Sequence, residues 1–160
     1  MKSVYLFLIM ALGLSFAMAQ TNTPPSPLVG KWKVNTIEAG IRHDYKTNET
    51  SYPDALKKSL QGKKDSAISI GLMQRVADNF KSYSFVFTAD GKYQEIKDAK
   101  IKQEGTYKTD EVLGTIETTC MSRLGTPVKQ QLEYKLIGAL MHFKYPLRNE
   151  KVALQAEKEQ

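Results

Sequence analysis

The chain has 160 residues, of which 41% are hydrophobic and 25% charged, the size and balance of one globular domain with a core of its own. That composition excludes a disordered chain and a coiled coil. The formal charge is +6, falling to +5 if Lys2 is lost with the leader described below. The basic residues are scattered, with doublets at Lys57-Lys58 and Lys63-Lys64 and a looser set at Lys97, Lys100 and Lys102. This reads as a solubilising surface and leaves room for an anionic ligand, an acidic polysaccharide or a membrane surface. No Arg-rich stripe or reading module accompanies the charge, which argues against nucleic acid.

Residues 1–19 read as a signal peptide. Lys2 supplies the positive start, Val4 to Phe16 is an uncharged apolar run, and Ala17-Met18-Ala19 fits the small-x-small cleavage rule. The mature chain is then expected to begin at Gln20 and to be periplasmic or secreted, with no stable membrane span. An uncleaved anchor is disfavoured because the run is shorter than the roughly 20 residues a spanning helix needs. Cys120 is the only cysteine. It cannot form an internal disulfide, so it reads as a small buried hydrophobe, with a reactive thiol or an intermolecular bridge as alternatives.

Residues 20–27 (QTNTPPSP) are Pro-rich and polar, an extended linker leading into a domain expected over residues 28–158. The first strand runs from about Leu28 to Ile37, with Gly30, Trp32 and Val34 on one face. Glu38 to Thr50 carries no clear period and reads as a loop. Ser51-Tyr52-Pro53-Asp54 reads as a helix start with a Ser cap and Pro in the first turn, opening a helical insertion over about 52–80. A short helix ends near Gly62. A second is expected from Asp65 to Phe80, with Leu72, Val76 and Phe80 at i, i+4, i+8 and Ile68, Met73 and Ala77 widening the stripe.

From Ser82 the period turns to alternation. Tyr83, Phe85 and Phe87 share one face, and Ala89-Asp90-Gly91 reads as a three-residue hairpin loop with Gly91 at positive φ. That loop pairs Phe87 with Tyr93; a two-residue Asp-Gly turn would send Tyr93 to the opposite face. Further strands read as about Tyr93 to Lys97, Ile101 to Lys108, Gly114 to Cys120, Lys129 to Ile137, Ala139 to Tyr145 and Lys151 to Ala156. The total is about eight antiparallel strands, the number at which a small up-and-down barrel closes. The fold class expected is therefore mainly β, a barrel with a helical insertion between its first and second strands.

Three short motifs carry a resemblance: Leu28-Val29-Gly30-Lys31-Trp32-Lys33-Val34, Phe85-Val86-Phe87-Thr88-Ala89-Asp90-Gly91-Lys92-Tyr93, and Gly105-Thr106-Tyr107. In order and spacing they resemble the secreted lipocalin-like domains common in Bacteroidetes-type bacteria. The resemblance implies a calycin-type barrel with Trp32 packed across its closed end. The chain departs from typical lipocalins in lacking a Thr-Asp-Tyr-type motif and an Arg on the expected last strand to cover the Trp. Helices after the first strand also resemble the lid of fatty-acid-binding proteins, at fold level only.

The inward positions Phe85, Phe87, Tyr93, Tyr107, Tyr134 and Phe143 are the candidate ligand-binding residues; they can line a cavity or simply fill the core. Gly30, Trp32 and Gly91 are the structural positions. His142 is expected to face outward and His43 to lie in a polar loop, so no metal site or cofactor is expected. Ser66 and Ser122-Arg123 lack the context of a nucleophile, and Glu95, Glu104, Glu117 and Glu133 read as solvated strand glutamates, so no catalytic residue is assigned. Asn48-Glu49-Thr50 fits an N-glycosylation sequon, and Asp65-Ser66-Ala67 resembles a short bacterial O-glycosylation pattern. The leading expectation is an exported, non-enzymatic barrel holding a small apolar or amphiphilic ligand. The alternative is a filled-barrel interaction or structural module of the cell envelope that contacts a protein or glycan. An exposed apolar patch on the helix, without an interior cavity, distinguishes the second.

Overall fold

The structure, a computed structural model, describes residues 26–148 and 150–159. The expected signal peptide, and all of the linker before Ser26, lie outside the described residues. In chain order the elements are β1 (Gly30–Glu38), β2 (Arg42–Asp44), β3 (Glu49–Ser51), α1 (Asp54–Leu60), α2 (Ser66–Phe80), β4 (Tyr83–Phe87), β5 (Lys92–Lys97), β6 (Lys100–Asp110), β7 (Thr115–Met121), β8 (Pro127–Ile137), β9 (Leu140–Leu147) and β10 (Glu150–Lys158).

The barrel takes β1 and then β4 to β10 in order, every neighbour antiparallel, and closes where β10 pairs with β1 from Trp32 opposite Lys158 to Glu38 opposite Ala153. Eight strands and the helical insertion after the first of them are as the alternation predicts. The hairpin register is also as read: Phe87 lies opposite Tyr93, with Gly91 at φ 79° closing the loop.

Glu38 to Thr50 is not a plain loop. It folds into the β2–β3 hairpin, Arg42 opposite Ser51 and Asp44 opposite Glu49, and β2 pairs with the second half of β1. The hairpin is possible because β1 carries a bulge at Asn35, between Val34 and Thr36. A bulge bends its strand and increases the local twist. On that side β1 pairs with β4 over Gly30 to Lys33 and with β2 over Thr36 to Glu38. Pairing with Arg42 draws Ser51 into β3, so it does not cap a helix; Pro53 occupies the N-cap of α1 and the acid of the first turn is Asp54.

α2 begins at Ser66, with Asp65 at its N-cap, and docks through a face rotated from the expected stripe. Ala77 and Phe80 are buried and Met73 and Val76 half-buried, whereas Ile68 and Leu72 are 64% and 57% exposed. Steps of four residues advance about 40° around a helix, so Ile68 and Leu72 lie about 120° and about 80° around from Phe80 and cannot reach the surface on which it docks. Met73, Val76 and Ala77 can. Met73 lies over Gly40, whose φ of 77° and missing Cβ leave room for the sulfur, and the Tyr45 hydroxyl donates to the Ala77 carbonyl at 2.5 Å. Phe80 closes that end of the barrel against Tyr83 and Tyr145, at 5.2 and 5.5 Å between ring centres.

Trp32 organises the core below. It is buried, its indole Nε1 donates to the Leu28 carbonyl at 2.7 Å, and this folds Leu28 back as a buried plug. The cation over its ring is Lys158, with Nζ 5.6 Å from the ring centre, two residues past the end expected for the last strand. Gly30 makes that possible: at φ 143° a Cβ would stand 2.4 Å from Lys158 Cε. Gly105 has a different reason, since a Cβ there would lie 2.1 Å from the backbone oxygen of Thr119. It lets β6 and β7 approach where a side chain would part them.

Candidate functional site

All six candidate ligand residues belong to the barrel core, but they are packed against one another. Phe85, Phe87, Tyr93 and Phe143 are buried, and Tyr107 and Tyr134 half-buried against the same cluster. Phe85 meets Phe143 edge-on at 4.8 Å, Phe87 lies 5.3 Å from Tyr93, and Phe87 meets Tyr107 edge-on at 5.0 Å. Tyr134 stands opposite Phe143 across β8 and β9. Such ring contacts add to the burial that already makes aromatics dominant core residues.

Glu95 is the residue the sequence reading misplaced. Glu104, Glu117 and Glu133 do face solvent, but Glu95 is 1% exposed and points inward. The Tyr93 hydroxyl donates to its Oε1 at 2.7 Å, the Tyr145 hydroxyl reaches both carboxylate oxygens at 3.2 and 3.0 Å, and the Tyr83 hydroxyl donates to Oε2. Alternation on β5 contained the signal, because Glu95 shares parity with Tyr93; the general preference of glutamate for water overrode it. Burial, and then the Glu95 charge, push the Tyr83, Tyr93 and Tyr145 hydroxyls well above the usual tyrosine value of 10. Burial likewise raises the Cys120 thiol, in line with its reading as a small buried hydrophobe. The three hydroxyl protons are thus committed to one carboxylate, an arrangement that braces the core.

Among the described residues, three buried side-chain oxygens lack hydrogen-bond partners, one of them Asn35 Oδ1 at the β1 bulge. Thr118 Oγ1 and Gln130 Oε1 have no hydrogen-bond partner, and these residues are cross-strand neighbours, with Tyr107 opposite Thr118. His43 also departs from expectation: it lies in β2, buried, with Nδ1 2.8 Å from Thr50 Oγ1. His142 faces outward as read. Among the described residues, no cluster of three or more His, Cys, Asp or Glu side chains is placed to hold a metal, and no helix is long and apolar enough to cross a membrane.

Two hollows over the β-sheet open on the outside, around the β1 segment that leaves β4 for β2. Pairing aligns outward residues there into two rows crossing five strands. One row is Glu133, Lys144, Ala153, Glu38 and Arg42, on β8, β9, β10, β1 and β2. The other is Lys135, His142, Gln155, Thr36 and Asp44 on the same strands. A hollow of about 390 Å³ lies over these rows, and a second of about 510 Å³ continues it toward Tyr52 and Pro53. The two share Glu38, Arg42, Lys144 and Ala153, so they form one trough. Glu133 binds Lys144 at 2.8 Å and Lys151 at 2.7 Å, and these two ammonium groups hold its carboxyl well below the usual range, at about 2. The sequence reading missed the trough because one wall is the β2–β3 hairpin, read there as a loop.

No family model matches the chain, and no curated protein matches it. Among solved structures, a crystal structure of a duf4847 family protein from Bacteroides vulgatus ATCC 8482 aligns with a TM-score of 0.44 at 15% identity, over 83% of this chain and 96% of that one.

Proposed function

We propose that this chain is an exported, non-enzymatic lipocalin-like module whose barrel interior is its own core and whose recognition surface is on the outside. The observation that carries this reading is the packing of the inner face. Phe85, Phe87 and Tyr93 fill the space where a lipocalin-type ligand would sit, and Glu95 ties three tyrosines together beneath Phe80. The exposed Ile68 and Leu72 on α2 and the trough over β8 to β2 supply contact surface for an envelope protein or glycan. A second reading, a small amphiphile held in the barrel, is favoured by one feature: the unpartnered Thr118 and Gln130 oxygens beside Tyr107 offer acceptors to a polar guest.

Native mass spectrometry of protein purified from its own source, followed by solvent extraction, separates the two. The expected result is the mass of a chain beginning at Gln20, with no stoichiometric small molecule and no uptake of an apolar fluorescent probe. A stoichiometric lipid or amphiphile would overturn the filled-barrel reading in favour of the second. A mass that retains residues 1–19 would remove the expectation of a cleaved leader.

A further inference from the structure

We infer that the trough across β8, β9, β10, β1 and β2 binds an acidic oligosaccharide, a chain of uronic-acid units. The inference rests on the reading above in placing recognition outside the barrel, and it names the ligand class for that surface.

Charge comes first. The two hollows are lined by four cations (Arg42, Lys135, Lys144 and Lys151) against two carboxylates, Glu38 and Glu133, and with Asp44 at the end of the second row the cations still outnumber the carboxylates by one. The ion pairs Arg42–Glu38, Lys144–Glu133 and Lys151–Glu133 are all solvent-exposed. Exposed pairs of this kind contribute little to stability. What they do here is hold cationic heads over the trough, where carboxylates of a ligand can join them.

Spacing comes second. Arg42 and Lys144 lie in one row with β1 and β10 between them. Three strand separations put them about 14 Å apart along the row. A compact anion spans no such distance, whereas an extended chain of charged sugars presents carboxylates along its length.

Composition comes third. The middle of the trough, between the cations, is Thr36, Gln155 and His142 around the small Ala153, all groups that hydrogen-bond hydroxyls or leave room for a ring. The half-buried Tyr52 beside Pro53 offers a ring face at one end. Protein interfaces instead centre on large apolar or aromatic anchors set in pockets, and membrane contact needs apolar side chains to insert. Apart from Tyr52 and Pro53 at one end, the outward side chains of this trough supply neither.

The test is calorimetric titration of the mature protein with a short oligogalacturonate. Its methyl-esterified counterpart, phosphatidylglycerol vesicles and polyglutamate serve as competing ligand classes. The acid oligomer should bind, the ester should not, and binding should weaken as salt is raised. Arg42→Gln combined with Lys144→Gln should weaken binding by at least about tenfold, the loss of two charge-assisted contacts. Lys108→Gln, an exposed β6 residue outside the trough, should bind like the parent protein. Thermal melts check that each variant folds; should the double variant not fold, Ala153→Glu, which sets a carboxylate on the floor, should give the same loss. No binding of the acid oligomer overturns the inference, as does equal weakening by Lys108→Gln, equal binding of the ester, or tighter binding of the vesicles or polyglutamate. The probe experiment above reads the barrel interior and this titration reads the trough. An extracted amphiphile with sugar binding intact defeats only the filled-barrel reading, and an empty barrel that ignores the sugar defeats only this one.

Discussion

Tyr93→Phe isolates the Glu95 cluster with the loss of one oxygen. The ring keeps its contacts with Phe85 and Phe87, and what disappears is the 2.7 Å hydrogen bond to a buried carboxylate. Hydrogen bonds to charged groups contribute about 1.5–3 kcal/mol, against about 0.5–1.5 kcal/mol for neutral ones. Tyr107→Phe is the internal comparison, because its hydroxyl donates at 2.9 Å to a neutral acceptor, the Thr88 carbonyl. Urea unfolding followed through Trp32, the only tryptophan, should therefore show Tyr93→Phe losing about twice as much stability as Tyr107→Phe. Tyr145→Phe completes a cycle. With both hydroxyls gone the carboxylate keeps Tyr83 alone, so the double variant should depart from the sum of the singles by more than about 0.5 kcal/mol. A Tyr93→Phe loss under about 0.5 kcal/mol, with additive singles, would refute the view that this carboxylate braces the core.

Three further perturbations test the frame around the cluster. Gly105→Ala would set its Cβ 2.1 Å from the Thr119 oxygen and should cost about 3 kcal/mol or more in a urea melt, since backbone rather than a mobile side chain must give way; a loss below about 1 kcal/mol would contradict that close approach. Gly30→Ala combines strain at φ 143° with displacement of Lys158 from the Trp32 face, so about 1–3 kcal/mol should go together with a shifted Trp32 emission. Unchanged emission would show that the lysine does not cover the ring. In alkali the buried tyrosines keep their protons where the unfolded chain loses its own, so stability is full below about pH 10 and falls as the pH rises past it. Tyr93 and Tyr145 alone contribute a slope of about 2.7 kcal/mol per pH unit there, and a flat urea midpoint between about pH 9 and pH 11 would refute their burial as neutral donors.

The barrel was legible because period-2 alternation runs through the barrel strands, broken in β1 at the Asn35 bulge, and because turn residues such as Gly91 mark where the chain reverses. The β2–β3 hairpin was not, since strands of three residues, Arg42–Asp44 and Glu49–Ser51, are too short to display a period. It exists through pairing with a bulged partner, which is a tertiary cause. The face of α2 was misjudged through phase: i, i+4 spacing looks continuous along the sequence yet drifts around the helix, leaving Leu72 in solvent and Phe80 in the core. Glu95 was legible by parity and illegible by residue type, since nothing local announces that three tyrosines from β4, β5 and β9 converge on it. The trough combines both difficulties, as its rows are built from residues on five strands that only the closed register brings side by side.

The same strand accounts for both the filled interior and the outer trough. Before Asn35, β1 belongs to the barrel: Trp32 and Val34 point into the core, and β4 and β10 flank it. After the bulge, β10 still holds one edge while β2 replaces β4 on the other, and Thr36 and Glu38 face the trough. A residue inserted in register would have kept β1 against β4 and left β2 without a partner edge. The bulge instead fixes the hairpin against a strand whose other half is anchored by Trp32, so the trough wall inherits the rigidity of the core beneath it. A site built this way needs no cavity in the barrel, and the tighter the aromatic core packs around Glu95, the better the outer rows hold their spacing.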